Sequence, residues 1–329
     1  MKTLSEHSPD LLLSVEHLTK EFGSGTGTVR AVAGVSFTVR RGKITGLVGE
    51  SGCGKTTVGR CLLRLLEPSG GRAIFDGADL FAMSPRQFRE YRKRIQIIFQ
   101  DPYSSLNPRM RIEDIIGEAV NVAQSSSRTK RRERVLELIS QVGLSPEHAR
   151  RYPNEFSGGQ RQRIGIARAL AVRPDFIIAD EPVSALDVSV QAQILNLLQN
   201  LQTQHGLTML FISHDLSVIE YLCDDVVVMY LGRVMERGPA WQLYTTPRHP
   251  YTRALISSSP VAKPSGDRRR ITLRGDIPSP LDPPSGCVFR TRCPHAISAC
   301  ADTEPASVDV GGGCFVACIR HEELMNVET

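Results

Sequence analysis

Residues 49–57 read GESGCGKTT, in which Gly49, Gly54, Lys55 and Thr56 fill the pattern G-x-x-x-x-G-K-[ST]. Glycines let successive backbone N–H groups turn toward one point, and a helix starting where the loop ends adds positive potential there. Lys55 then supplies a point charge for the outer phosphates of a nucleotide, and the Thr56 hydroxyl can ligate Mg²⁺. A chance glycine-rich turn is the plain alternative. The flanks oppose it: KITGLVG ahead of the loop reads as a short buried strand, and TTVGRCLLRLL behind it has helical spacing. A second set of reactive groups closes another apolar run, where Phe176, Ile177, Ile178 and Ala179 lead straight into Asp180 and Glu181. Open α/β sheets place their ligands at such strand ends. Asp180 is suited to holding Mg²⁺ through water and Glu181 to polarising an attacking water, whereas without the phosphate loop both would read as solvated acids before Pro182. His214 follows TMLFIS in the same way and is a candidate sensor of a terminal phosphate, although a lone histidine is more often structural. Residues 156–163, FSGGQRQR, form a second glycine-built segment far from the first.

These groups need a frame. Residues 12–18 and 35–39 read as strands separated by the turn-prone EFGSGTGT, and residues 73–75 and 95–99 are further strand candidates. From 112 to 143 apolar residues recur at three and four residue spacing, which predicts a helical insertion between two halves of an α/β core. Strand signals return at 176–179, 208–212 and 226–229, with the helix VQAQILNLLQNLQTQHG between the first two. Strand, helix, strand predicts a parallel sheet.

Length and composition set outer bounds. At 329 residues the chain predicts one large domain with a smaller appendage. A net charge of +5 is too small to argue for nucleic acid, and the basic runs at 128–134 and 268–270 read as a solvated helix face and a linker. No run of eighteen apolar residues occurs and the N-terminal stretch lacks signal-peptide features, so the chain is expected to stay in the cytosol. Its eight cysteines are then not expected to form disulfides.

GESGCGKTT, Gln100 after IQIIF, FSGGQRQR, FIIADE, SALD and His214 occur in the order of an ATP-binding cassette (ABC) ATPase, which the chain resembles over most of residues 12–240. The resemblance implies an α/β P-loop nucleotide-binding domain at 11–250, with a helical subdomain at about 101–168. It implies ATP and Mg²⁺ as cofactors, cradled by Gly49, Glu50, Ser51, Gly52, Cys53, Gly54, Lys55, Thr56 and Thr57, the last standing where serine is common. Phe22 takes the place of the aromatic that stacks on adenine, and Gln100 that of the residue linking Mg²⁺ and attacking water to the helical subdomain. In this family two ATPases pack head to tail, so Ser157, Gly158, Gly159 and Gln160 are expected at the γ-phosphate of ATP bound to the partner, with Asp187 crossing the interface. An isolated monomer should therefore hydrolyse ATP poorly.

Longer strings, among them FQDPYSSLNPRM, RYPNEFSGGQRQRI and PRHPYTRALISSSP, resemble the ATPase subunits of bacterial dipeptide and oligopeptide importers, the second dipeptide ATPase above all. That implies a paralogous ATPase as partner, two membrane-spanning permeases and an external peptide-binding protein, with this chain peripheral on the cytoplasmic face of the inner membrane. Nickel and glutathione importers share much of the pattern and stay open as alternatives. A soluble ABC ATPase acting on nucleic acid is the more distant reading, and no second phosphate-loop motif or long insertion between Gly54 and Ser157 favours it.

Residues 251–329 turn proline- and arginine-rich and predict an irregular extension laid against the ATPase. It holds Cys287, Cys293, Cys300 and Cys318, with Cys314 as an extra. The spacing lacks the close pairs of structural zinc sites and the runs of ferredoxins. Zinc, or free thiols buried as small hydrophobes, remain alternatives, while the importer resemblance implies a four-iron four-sulfur cluster on those four cysteines.

Overall fold

The computed structural model describes residues 10–24, 27–123, 127–258 and 271–325, so the basic run at 268–270 lies outside the described residues. Two compact units emerge, one from Met1–Ala82 with Ser213–Thr329 and the other from Met83–Ile212.

The first unit opens with a long antiparallel pair, β1 (Leu11–Ser24) and β2 (Gly27–Arg40), followed by β3 (Ile44–Val48), helix α1 (Lys55–Leu62), β4 (Gly70–Phe75) and β5 (Ala78–Asp79). Glu21 to Ser24 pair with Arg30 to Gly27, so EFGSGTGT is largely ladder rather than the separating turn expected from its glycines. Backbone pairing overrides weak strand propensity once both flanks are in register. β2, β1, β4 and β5 form one antiparallel sheet in that order.

The second unit begins with α2 (Pro85–Arg94) and continues through β6 (Ile95–Ile98), α3 (Ile112–Ala123), α4 (Arg128–Gln141), α5 (Gly158–Leu170), β7 (Phe176–Asp180) and α6 (Val188–His205) to β8 (Thr208–Ser213). β6, β7 and β8 pair in parallel, and every residue of β7 and β8 is buried, as uninterrupted apolar runs in a parallel sheet should be. The expected helical stretch at 112–143 is two helices, α4 starting from a Ser127 cap. Its basic run lies along a helix whose Arg134 pairs with Glu137 at 2.8 Å, while Arg131 reaches Asp114 of α3 at 3.6 Å.

The remaining chain returns to the first unit as α7 (Leu216–Leu222), β9 (Asp225–Tyr230), β10 (Arg233–Pro239), α8 (Ala240–Thr245), α9 (Pro250–Ser258), α10 (Ala299–Asp302), β11 (Val308–Asp309) and β12 (Phe315–Val316). β9 runs parallel to β3 and antiparallel to β10. The cysteine-bearing segment is less irregular than its composition predicts, because β12 adds to β10 and β11 to β12. No helix among the described residues is long and apolar enough to cross a membrane.

Candidate nucleotide site and cysteine chamber

The phosphate-loop motif occupies the turn between β3 and α1. Gly54, the N-cap of α1, takes φ 102° and ψ 3°, and a Cβ there would stand 2.2 Å from the Ala31 carbonyl oxygen. Only glycine meets both conditions. Lys55 is buried, and its ammonium donates to the carbonyls of Gly49 at 2.8 Å and Glu50 at 3.0 Å. The Cys53 amide also donates to Glu50 O, at 3.2 Å. The loop is thus wound around its own lysine, with Ser51 and Gly52 exposed at its crest and Thr56 and Thr57 half-buried in the first turn of α1. Burial pushes the Cys53 thiol up, away from thiolate chemistry. Phe22 stands opposite Val29 in the β1–β2 ladder, exposed, with the Lys20 ammonium 4.9 Å from its ring centroid. His214 is the exposed residue after β8, and Asp215 caps α7 by accepting from the Ser217 amide at 2.9 Å.

In the second unit the two carboxylates close β7. Asp180 is buried, and Glu181 is held at φ 46°, a left-handed conformation that costs a non-glycine residue about 1–3 kcal/mol and clusters at working sites. Its amide donates to Ile212 O at 3.0 Å, fixing the turn. The Gln100 amide donates to Glu181 Oε2 at 3.0 Å and to Ser184 Oγ at 3.4 Å. Gln100 and Glu181, 81 residues apart, are therefore brought together.

The FSGGQ segment starts α5. Ser157 Oγ accepts from the Gln160 amide at 3.4 Å and Gln160 Oε1 accepts from the Ser157 amide at 3.0 Å, a reciprocal capping box. Gly158 and Gly159 form the first helical residues, where amide groups point along the axis and favour anions. Behind them Arg161 is buried, donates to Pro153 O at 2.9 Å and stacks over the Tyr103 ring at 3.6 Å. Asp187, exposed, begins α6 as its N-cap without a side-chain cap bond.

Sequence reasoning missed what braces the loop. The Glu50 carboxylate accepts from Arg292 Nη1 at 2.6 Å, and the Glu50 amide donates to the Tyr251 hydroxyl at 3.0 Å. Burial works against the Arg292 charge, yet its hydrogen bonds to Glu50 and Tyr230 hold its pKa above the ordinary guanidinium value. Tyr251 packs on Tyr230 at 4.9 Å and on Phe289 at 5.2 Å. Upstream, buried Glu236 of β10 accepts from the amides of Arg248 at 2.8 Å and His249 at 2.9 Å, which fixes the turn into α9. The PRHPY string signals α9, but nothing local ties Arg292 to a loop 242 residues earlier.

Cys287, Cys293, Cys300 and Cys318 line one cavity with His249 and His295. Cys314 is not part of that lining and is buried where it crowds Gly238 of β10. Burial pushes the Cys287, Cys293 and Cys318 thiols up, Cys293 to about 11. The amides of Phe289, His295 and Arg320, each two residues further on, donate to those sulfurs and pull the other way. Among the described residues no three His, Cys, Asp or Glu side chains are gathered around one point closely enough to hold a metal ion.

Residues 32–184 match the ABC transporter family, and residues 235–300 match the family described as oligopeptide/dipeptide transporter, C-terminal region. A Brucella ovis protein described as a peptide import ATP-binding protein is 57% identical over 309 residues, covering 94% of this chain and 98% of its own. The chain belongs to the ABC transporter family. Within this family its C-terminal match places it in the oligopeptide/dipeptide branch, as an ATP-hydrolysing subunit. The Bacillus subtilis oligopeptide transport ATP-binding protein AppF is 52% identical over 300 residues, covering 90% of this ABC subunit and 91% of AppF. Among solved structures, the ATP-binding cassette MJ0796, dimeric and bound to ADP and Pi, superposes with a TM-score of 0.64 at 27% identity, covering 70% of this chain and 99% of that one. CbiO1 of Clostridium perfringens gives a TM-score of 0.64 at 30% identity, over 71% and 91%. This is the α/β cassette fold the motifs imply.

Proposed function

We propose that this ABC subunit binds Mg–ATP at residues 49–57 and hydrolyses it to drive uptake of di- or oligopeptides. Lys55 neutralises the outer phosphates, Thr56 and Asp180 hold the metal, Glu181 polarises the attacking water, Gln100 orients it and His214 reads the terminal phosphate. Ser157, Gly158, Gly159, Gln160 and Asp187 serve a nucleotide held by a paralogous ATPase, and Phe22 stacks on adenine. The supporting observation is the end of β7, where Gln100 bonds Glu181 at 3.0 Å and the backbone of Glu181 is held at φ 46°. A carboxylate held in this way is suited to accepting a proton from an attacking water. Glu181→Gln should preserve saturable ATP binding and slow turnover by at least about 10², the scale of a general base. Undiminished hydrolysis would remove Glu181 from that role.

Peptide cargo rests on the C-terminal match and on relatives bearing peptide-transport names. Two permeases, an external binding protein and peripheral attachment to the cytoplasmic face of the membrane follow from that reading. The four cavity-lining cysteines, with amide groups aimed at three of the sulfurs, fit a four-iron four-sulfur cluster, in which each thiolate takes a different iron rather than all converging on one ion. When bound, such a group supplies cross-linking of this segment and one-electron chemistry. Cys287, Cys293, Cys300 and Cys318 would hold it, His249 and Phe289 shielding the wall.

A further inference from the structure

Glu50, one residue into the phosphate loop, is bonded within the loop by Lys55 and Cys53 and from the C-terminal part of the chain by two further residues. Its carboxylate meets Arg292, the neighbour of Cys293, in a pair whose side chains are 22% and 9% exposed respectively. Its amide meets Tyr251, which lies two residues from His249 of the cavity wall. Its carbonyl takes the Lys55 ammonium. Phe289 fills the space between, touching Tyr230, Tyr251 and His249 at ring distances of 5.3, 5.2 and 5.7 Å. Phe289, Tyr230 and Tyr251 are all wholly buried, so a displacement of the cavity wall has no slack to absorb it.

Electrostatics gives the contact a sign. An anion-binding loop is a costly place for an uncompensated carboxylate, because Glu50 would repel the polyphosphate that Lys55 attracts. Arg292 cancels that charge, and its Nε is itself buried without a partner, so the guanidinium is held there at a cost in hydrogen bonding. A brace needed only for packing would not require a cation.

We propose that Arg292 is a positioning residue that couples the cysteine chamber to nucleotide binding, by neutralising and orienting Glu50 at the start of the phosphate loop. Anything that rearranges the chamber wall at Cys293 is then read as a change in ATP affinity. The proposal rests on the nucleotide-site reading above and is independent of which metal the chamber takes.

The test is equilibrium titration of the full chain with a fluorescent, non-hydrolysable ATP analogue and Mg²⁺. Arg292→Ala should weaken binding about tenfold, a coupling within the range for contacting charged groups, and Arg292→Lys should fall between it and the parent. Adding Glu50→Gln to Arg292→Ala removes the stranded carboxylate and should recover about threefold or more of the loss, which a purely structural role for Arg292 would not do. Cys293→Ser should weaken binding in the parent and have no further effect beside Arg292→Ala. Unchanged affinity in Arg292→Ala, no recovery in the double variant, or equal Cys293→Ser losses in both backgrounds would each overturn the coupling. Should Arg292→Ala lack a cooperative melt, Arg292→Lys and the double variant decide the matter by the same criteria. Lys55→Ala separates the two readings: retained binding there would refute the nucleotide site itself.

Discussion

Two glycines of the phosphate loop, two residues apart, should respond very differently to the same alanine. Gly52 sits at φ 79° with nothing within 4 Å of a would-be Cβ, so Gly52→Ala incurs the left-handed backbone cost alone, about 1–2 kcal/mol. Gly54, at φ 102°, carries that cost and also drives a Cβ to 2.2 Å from the Ala31 carbonyl oxygen. Neither atom is a flexible side-chain tip, so β2 or the start of α1 must move, adding about 1–3 kcal/mol of overpacking. Gly54→Ala should therefore lose about 2–5 kcal/mol in urea unfolding followed by far-ultraviolet circular dichroism. The shift also displaces Lys55, the next residue, so the variant should bind ATP at least about tenfold more weakly, while Gly52→Ala stays within about threefold of the parent. Equal urea midpoints for the two variants, or parent-like ATP affinity in Gly54→Ala, would refute the reasoning.

Anaerobically purified protein should contain about four irons and four sulfides per chain, and serine at Cys287, Cys293, Cys300 or Cys318 should abolish them while Cys314→Ser leaves them in place. Stoichiometric zinc without iron after anaerobic reconstitution would replace the cluster with a zinc site. Arg109→Glu changes an exposed side chain after the QDPYSSLNP segment, and should uncouple transport in reconstituted importer while basal ATPase activity survives. Equal loss of both would place Arg109 in the cassette's stability. Arg111→Glu should lower the urea midpoint as well, because Arg111 lies over the Tyr152 ring at 5.8 Å.

What could be read from the sequence was what physics makes local. The phosphate loop was legible because strand, glycines and helix lie side by side, and β7 and β8 because residues 176–179 and 209–212 are unbroken apolar runs. α2 escaped notice since only Phe88 is buried in PRQFREYRKR, although Ser84, Pro85 and Gln87 spell a capping box that could have marked its start. Glycines misled at EFGSGTGT, where partner strands outweigh intrinsic preference. Family likeness gave Gln100 a role but not its contact with Glu181, and nothing in the string gave the Arg292–Glu50 contact, since side-chain pairs across such separations leave no periodicity.

The separation between Glu50 and Arg292 also has a meaning in time. On a ribosome adding about 5–20 residues per second, 242 residues take about 10–50 s. Through that interval the nascent phosphate loop exists without the arginine that neutralises its first acid, and without the tyrosine that holds its amide for most of it. The braced loop is a late product of synthesis, so a chain released early, anywhere before Arg292, carries an intact motif but an unbraced one.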